Sequence, residues 1–134
     1  MGALDNYPKQ LEYLQKSLEI QKVCAGEEHP EVGVAYLNVA IACFGKGNYS
    51  VALENALKAR AIMEKALGKN HPNTIKCYDL LGGIYNEQGD YAKALECLLI
   101  VAKDYERRYG PEHPDTKYAR KNVDAIKEKM SNNF

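Results

Sequence analysis

Neither sign of charge is in surplus in this 134-residue chain, where 18 lysines and arginines face 18 aspartates and glutamates. Nucleic acid and anionic membrane surfaces require a concentrated positive field, so neither is expected as a partner. Long apolar runs are missing as well. The longest, about Val32 to Phe44, falls short of the roughly 20 residues that span a bilayer and reads as a buried helix. No apolar leader opens the chain, and the hexapeptide from Met1 to Asn6 lacks the Ser or Thr that acylation of Gly2 needs. The four cysteines, Cys24, Cys43, Cys77 and Cys97, form no Cys-x-x-Cys pair and do not recur at equivalent positions. That pattern argues against a zinc site or a disulfide framework, and reduced, mostly buried thiols suit the cytoplasm.

Catalytic signatures are absent from the sequence too. Ser17, Ser50 and Ser131 sit in no Gly-x-Ser-x-Gly elbow. Gly45-Lys46-Gly47 offers Gly-x-Gly but closes a helix, with neither the strand nor the third glycine of a dinucleotide site. Glu27 and Glu28 fall in a junction loop, where charge is solvated, and nothing pairs a nucleophile with a base. The expectation is a protein that is not an enzyme and takes no cofactor and no metal.

What is present is repetition. Gly26-Glu-Glu-His29-Pro30, Gly68-Lys-Asn-His71-Pro72 and Gly110-Pro-Glu-His113-Pro114 recur every 42 residues. In the same register stand Tyr7, Tyr49 and Tyr91, then Leu11, Leu53 and Leu95, then Glu12, Glu54 and Glu96. Tyr36 aligns with Tyr78, Val39 with Leu81, Ala40 with Gly82 and Gly47 with Gly89. A period of this length signals stacked repeats, each too small to bury its apolar face alone. Composition agrees, since 46% apolar residues is the value of an ordinary folded domain.

Each period holds two helices. The first, from Glu31 or Asn73, carries apolar residues at three- and four-residue steps, as at Tyr78, Leu81, Ile84 and Tyr85. Gly47 and Gly89 stop it in the left-handed conformation that glycine adopts without penalty. Asn48 and Asp90 follow, with side chains able to cap the second helix. Cations Lys65, Arg107 and Arg108 near the end of that helix complement its dipole. His-Pro then starts the next first helix, where proline's missing N–H has no helical partner. The histidines therefore read as junction residues that pack or hydrogen-bond. A shared metal is disfavoured, because zinc needs nitrogen ligands at about 2 Å and packed helices stand about 8–10 Å apart. Small residues Ala40, Gly82, Ala52 and Ala94 let paired helices approach, and large tyrosines fill the space between.

The stretch Tyr78 to Leu95, read as Tyr-x-x-Leu-Gly-x-x-Tyr…Gly-Asp-Tyr-x-x-Ala-Leu, resembles the tetratricopeptide repeat. The period exceeds the usual 34 residues of that repeat. With Leu-Gly-x-x-His-Pro-x-Thr from Leu67 to Thr74, it is similar to the kinesin-light-chain type. The resemblance covers residues 5 to about 130 and implies an all-α fold, an alpha-alpha superhelix of about six antiparallel helices. The expected organisation is one domain over 1–134: a half repeat at 5–28 holding a second-type helix, repeats at 29–70 and 71–112, and a half repeat at 113–134 holding a capping first-type helix. Asp124 and Lys127 stand where the inner copies have small or apolar residues, which suits a cap. The first helix lacks a partner, so Leu11, Leu14 and Leu18 are expected to be partly uncovered. That points to a fragment of a longer array or to a homodimer through this end.

The resemblance also implies a function: a non-catalytic protein–protein interaction module, an adaptor or scaffold that binds a peptide segment of a partner in a concave groove lined by the first helices. The groove slots fall on Val34, Leu37, Asn38, Ile41 and Phe44, then on Lys76, Asp79, Leu80, Gly83 and Asn86, and finally on Tyr118, Lys121, Asn122 and Ala125. The helix containing Leu37, Ile41 and Phe44 is apolar on nearly every side. Two readings stand for it, a helix covered by neighbours and a hydrophobic floor for a partner. Asn38 and Asn122 offer the paired donor and acceptor that hold a peptide backbone, and Leu80 interrupts that series. The family's clamp for a terminal carboxylate wants Lys and Asn, whereas Leu37, Ile41, Asp79 and Gly83 fill those slots here. Lys76 and Lys121 read as solvated lysines or as a mild preference for an acidic partner. Self-association through the first helix is the alternative function.

Overall fold

The computed structural model describes residues 6–132. Met1–Asp5, which begin the stretch read above for a leader or acyl group, and Asn133–Phe134 lie outside that range. Six helices account for most of the described residues: α1 (Tyr7–Ala25), α2 (Pro30–Gly45), α3 (Tyr49–Leu67), α4 (Pro72–Glu87), α5 (Tyr91–Tyr109) and α6 (Pro114–Asn132). No strand occurs among them. The chain divides into two compact units, and the division falls inside α4, between Cys77 and Tyr78.

The junctions follow from local chemistry. His29, His71 and His113 each precede a helix whose first residue is proline. The N–H of Glu31 donates to His29 Nδ1 at 3.1 Å, that of Asn73 to His71 Nδ1 at 3.1 Å, and that of Asp115 to His113 Nδ1 at 3.0 Å. The imidazole thus does the work of a capping Ser or Asp, satisfying one of the orphan donors of the first turn. An accepting Nδ1 assigns the ring proton to Nε2.

The other kind of junction is a Schellman turn. Gly89 N–H donates to the carbonyl of Asn86 at 3.1 Å and Asp90 N–H to that of Tyr85 at 2.9 Å, closing α4 with Gly89 at φ 81°. Gly47 and Asn48 repeat those bonds to Phe44 and Cys43 at 3.0 and 2.9 Å. Asp90 then caps α5, accepting from Lys93 N–H at 3.3 Å, whereas Asn48 makes no side-chain bond to α3. The backbone angles at the two residues are nearly the same, so the difference lies in the side chain. At Gly68 the chain takes φ 94° and ψ 162°, a region essentially reserved for glycine. The Gly68 carbonyl accepts from the buried Thr74 hydroxyl at 2.8 Å, which ties the loop to the first turns of α4.

Unit 1 packs α2 between α1 and α3. This is why α2 is apolar almost all round: Val32, Tyr36, Leu37, Val39, Ala40 and Cys43 are all buried. Gly33 lies against Met63 and Ile62 of α3, so close that a Cβ there would sit 3.1–3.2 Å from their atoms. Ala52, Ala56 and Ala59 keep the facing side of α3 shallow. Tyr36 lies between two cations, Lys22 of α1 at 5.6 Å and Lys58 of α3 at 5.5 Å from the ring centroid. α1 is thinly covered by comparison. Leu18, expected to be partly uncovered, is instead its one buried residue among those described, because α1 packs on α2, whereas Tyr13, Ile20 and Val23 are 69%, 61% and 86% exposed.

In unit 2, α5 packs on α6 and on the later turns of α4. A Cβ placed on Gly82 would meet Leu98 Cδ2 at 2.6 Å and Cγ at 2.8 Å, so α4 and α5 stand as near as they do because Gly82 has no side chain. Leu81, Ile84, Val101, Val123 and Ile126 fill the interior. Asp104 is buried among them, and Arg107 Nη2 and Arg108 Nε both donate to its carboxylate at 2.6 Å. α6 carries ion pairs on its outer side: Lys117 pairs with Glu112 at 3.3 Å and Arg120 with Glu106 at 2.7 Å.

Candidate functional site

Unit 1 presents a stripe on α2. Val34, Asn38 and Ile41 follow one another at helical spacing, and all three are open to solvent, Ile41 at 51%. Leu37 is only 6% exposed and belongs to the core. Phe44 is half-buried, with its ring centroid 5.7 Å from that of Tyr49 on α3. The reading of a helix covered by its neighbours thus holds for Leu37, while Val34, Asn38 and Ile41 are left open to solvent. Lys76, on the first turns of α4, is exposed.

Unit 2 holds a cleft between the later turns of α4, α5 and α6. One lobe, of about 210 Å³, is bounded by Asp79 of α4, by Leu98, Val101 and Tyr105 of α5, and by Asp115, Tyr118, Ala119 and Asn122 of α6. A second lobe of about 190 Å³ shares Asp79, Leu98 and Asn122 and runs on to Gly83, Asn86, Ala125 and Lys129. At that end Lys129 Nζ donates to Asn86 Oδ1 at 2.8 Å. Asp79, Asn86, Tyr118 and Asn122 are thus gathered round one depression, with the expected slots Gly83 and Ala125 beside them. Leu80 and Lys121 do not line it.

The first lobe is electrostatically one-sided. Its two carboxylates, Asp79 and Asp115, have no cation facing them from the lining residues. Asp115 Oδ2 lies 4.0 Å from His113 Nδ1, and Asp79 forms no ion pair or hydrogen bond among the described residues. Asp79 is open to water on one side yet crowded by protein on the others, and that partial desolvation raises its carboxyl above the ordinary value. Burial, followed by the charges of Asp79 and Asp115, likewise raises the Tyr105 phenol. Among the described residues no three His, Cys, Asp or Glu side chains are placed to hold a metal ion, and no helix is long and apolar enough to cross a membrane.

The profile of the Tetratricopeptide repeat family matches residues 2–65 and again 35–99. The chain belongs to the tetratricopeptide-repeat family. Its fold is also that of solved structures at low identity. BtubC (BKLC) from P. vanneervenii superposes with a TM-score of 0.84 at 18% identity, covering 95% of this chain and 51% of that one. Two crystal structures of nearly identical TPR-like repeats from a Podosopora anserina protein assigned as a kinesin light chain, one a point variant, give TM-scores of 0.79 and 0.78 at 22% identity. They cover 97% of this chain and 61% and 62% of those. The chain thus spans between half and about three-fifths of the length of these structures. No curated protein matches it.

Tetratricopeptide repeats are protein-interaction scaffolds, and the repeat explains what the sequence reading missed. Leu98, Val101 and Tyr105 line the cleft from α5, a second-type helix, while the reading took its slots from first-type helices alone. Asp115 and Ala119 lie on α6 outside those slots. The signal that finds them is the rotation of α6 itself: Asp115, Ala119 and Asn122 share a face with Tyr118 at three- and four-residue steps.

Proposed function

We propose that this tetratricopeptide-repeat chain is a non-catalytic adaptor or scaffold module that binds a peptide segment of a partner protein through the open faces of its first-type helices. The observation that carries this is the cleft of unit 2, where Asp79, Asn86, Tyr118 and Asn122 surround a depression of side-chain size. Asn122 lies in both lobes and offers a donor and an acceptor to a peptide backbone. The stripe Val34–Asn38–Ile41 supplies unit 1 with an apolar and amide surface of the same kind. The composition suits a cytoplasmic setting with a protein as partner. The test is selection of binding peptides from a displayed library on the full chain, followed by Asn122→Ala and Ile41→Asp. Binding that weakens at least tenfold in variants with unchanged helix circular dichroism supports the reading. Selected peptides that bind both variants as well as the parent chain refute it.

A second reading has its own observation. The exposure of Tyr13, Ile20 and Val23 on α1 favours self-association through that helix. Light scattering on the full chain decides it: a dimer that Ile20→Glu converts to a monomer supports it, and a monomer across the micromolar range removes it.

A further inference from the structure

The first lobe of the unit 2 cleft has an acidic lining. Two carboxylates converge there with two tyrosine rings and a side-chain amide, and no lysine or arginine is among the lining residues. Lys117 is paired with Glu112, Arg120 with Glu106, and Lys129 with Asn86 at the far end of the second lobe. We propose that this lobe seats the guanidinium of an arginine in a partner peptide, with Asp79 and Asp115 as its acceptors and Tyr105 and Tyr118 as its walls. The inference rests on the peptide-binding reading and names the partner as one with a basic, arginine-bearing segment.

Three features choose this occupant. Size is the first. At about 210 Å³ the lobe is smaller than the roughly 300–1,000 Å³ of small-molecule sites and suits one long side chain. Shape and chemistry come next. A guanidinium is planar, donates in a fork that two carboxylates can share, and stacks on aromatic faces, whereas an ammonium is a strongly hydrated point charge. Tyr118 stands 68% exposed at the rim, where such a ring has little to pack against and much to offer an incoming cation. The third is charge balance. A carboxylate kept partly dry without a counter-ion costs free energy that a bound cation returns, and the same desolvation raises the Asp79 carboxyl. The remaining length of the cleft, past Asn122 to Gly83 and Ala125, can take the backbone that follows the arginine, and the Asn86–Lys129 pair at its end disfavours a second cation there.

The experiment uses the full chain and fluorescein-labelled pools of short random-sequence peptides. The pools are identical except that the central residue is fixed as Arg, Lys, citrulline or Glu. Fluorescence anisotropy should show the Arg pool binding about tenfold or more tighter than the citrulline pool, which is the neutral isostere, with the Lys pool between. The Asp79→Asn/Asp115→Asn variant should lose that preference, so that it binds the Arg and citrulline pools equally. Tyr118→Ala, a surface change that leaves the core untouched, should reduce the preference severalfold. Equal binding of the Arg and citrulline pools, tightest binding by the Glu pool, or an Arg preference that survives both variants overturns the inference and leaves the peptide-binding reading standing. Failure of every pool to bind overturns the two together.

Discussion

Gly82 sets the distance between α4 and α5, and replacing it with alanine puts a number on that role. The added Cβ would stand 2.6 Å from Leu98 Cδ2 and 2.8 Å from Cγ, against the roughly 3.5–4.0 Å at which carbon atoms rest. The nearer atom is a methyl that can rotate, but the second is the branch point of the side chain, so Leu98 must move as a whole or the helices must part. Overpacking of this kind costs about 1–3 kcal/mol, and the gain from removing a mid-helix glycine is about 1 kcal/mol. The net expectation is a loss of about 1 kcal/mol. Gly33→Ala provides the control. There the Cβ meets Met63 Cε at 3.1 Å and Ile62 Cγ2 at 3.2 Å, a few tenths of an ångström inside comfort, and methionine yields readily. Gly33→Ala should therefore be neutral or stabilising by up to about 1 kcal/mol. Urea unfolding of the two variants and the parent, compared at equal slope, measures the difference. The Gly82→Ala/Leu98→Ala double variant should be less destabilised than the sum of its parts, because Leu98→Ala removes the clashing atoms. A Gly82→Ala protein at least as stable as Gly33→Ala would refute the claim that close helix approach dictates this glycine.

Three further outcomes follow from the same structure. His71→Ala should cost about 1 kcal/mol by removing the acceptor of the Asn73 N–H, and His71→Asn should recover most of it, as read by thermal unfolding. Under native conditions one thiol of four should react quickly with a thiol reagent, namely Cys24. Cys43, Cys77 and Cys97 are buried, and burial pushes the Cys77 thiol up to about 11, so all four should react only after denaturation. Asp79→Asn should stabilise the protein at neutral pH. The folded carboxyl is raised above its ordinary value of 3.8, so its contribution is complete below that value and is lost as pH rises through the folded pKa. The gap between variant and parent should close as the pH falls below 3.8, and a parent more stable than the variant at pH 7 would show a hidden partner for the carboxylate.

Architecture was legible because it repeats. The glycine and His-Pro junctions, the tyrosines that open each second-type helix and the slot held by Val39, Leu81 and Val123 recur every 42 residues. Each recurs for a physical reason found in the structure: a backbone angle, a capping acceptor, a buried contact. What misled in part was treating α2 as one surface. Hydropathy alone does not separate Leu37, which unit 1 encloses, from Ile41 one turn on, which it leaves open, because both are apolar and only the directions of α1 and α3 distinguish them. The half-matched cap at Asn48 has a similar origin, since an equivalent backbone does not compel an equivalent side-chain rotamer.

The candidate site was harder to read for the converse reason: it lies where the register does not repeat. One slot holds Leu37, Asp79 and Lys121, so an apolar core residue, a carboxylate and a solvated cation occupy the same turn of successive first-type helices. The scaffold does not require any of them. A repeat fixes backbone and core through positions that must agree, and whatever discriminates between partners has to be written in the positions that are free to differ. Asp79 is the strongest instance, because it stands partly desolvated and unpaired at the edge of a cleft whose other walls are apolar and aromatic as well as polar. Leu37 shows that its own slot tolerates an apolar side chain when α1 and α3 flank the helix. The carboxylate at this slot in α4 therefore answers to no packing requirement, which leaves the position free for the partner contact proposed above.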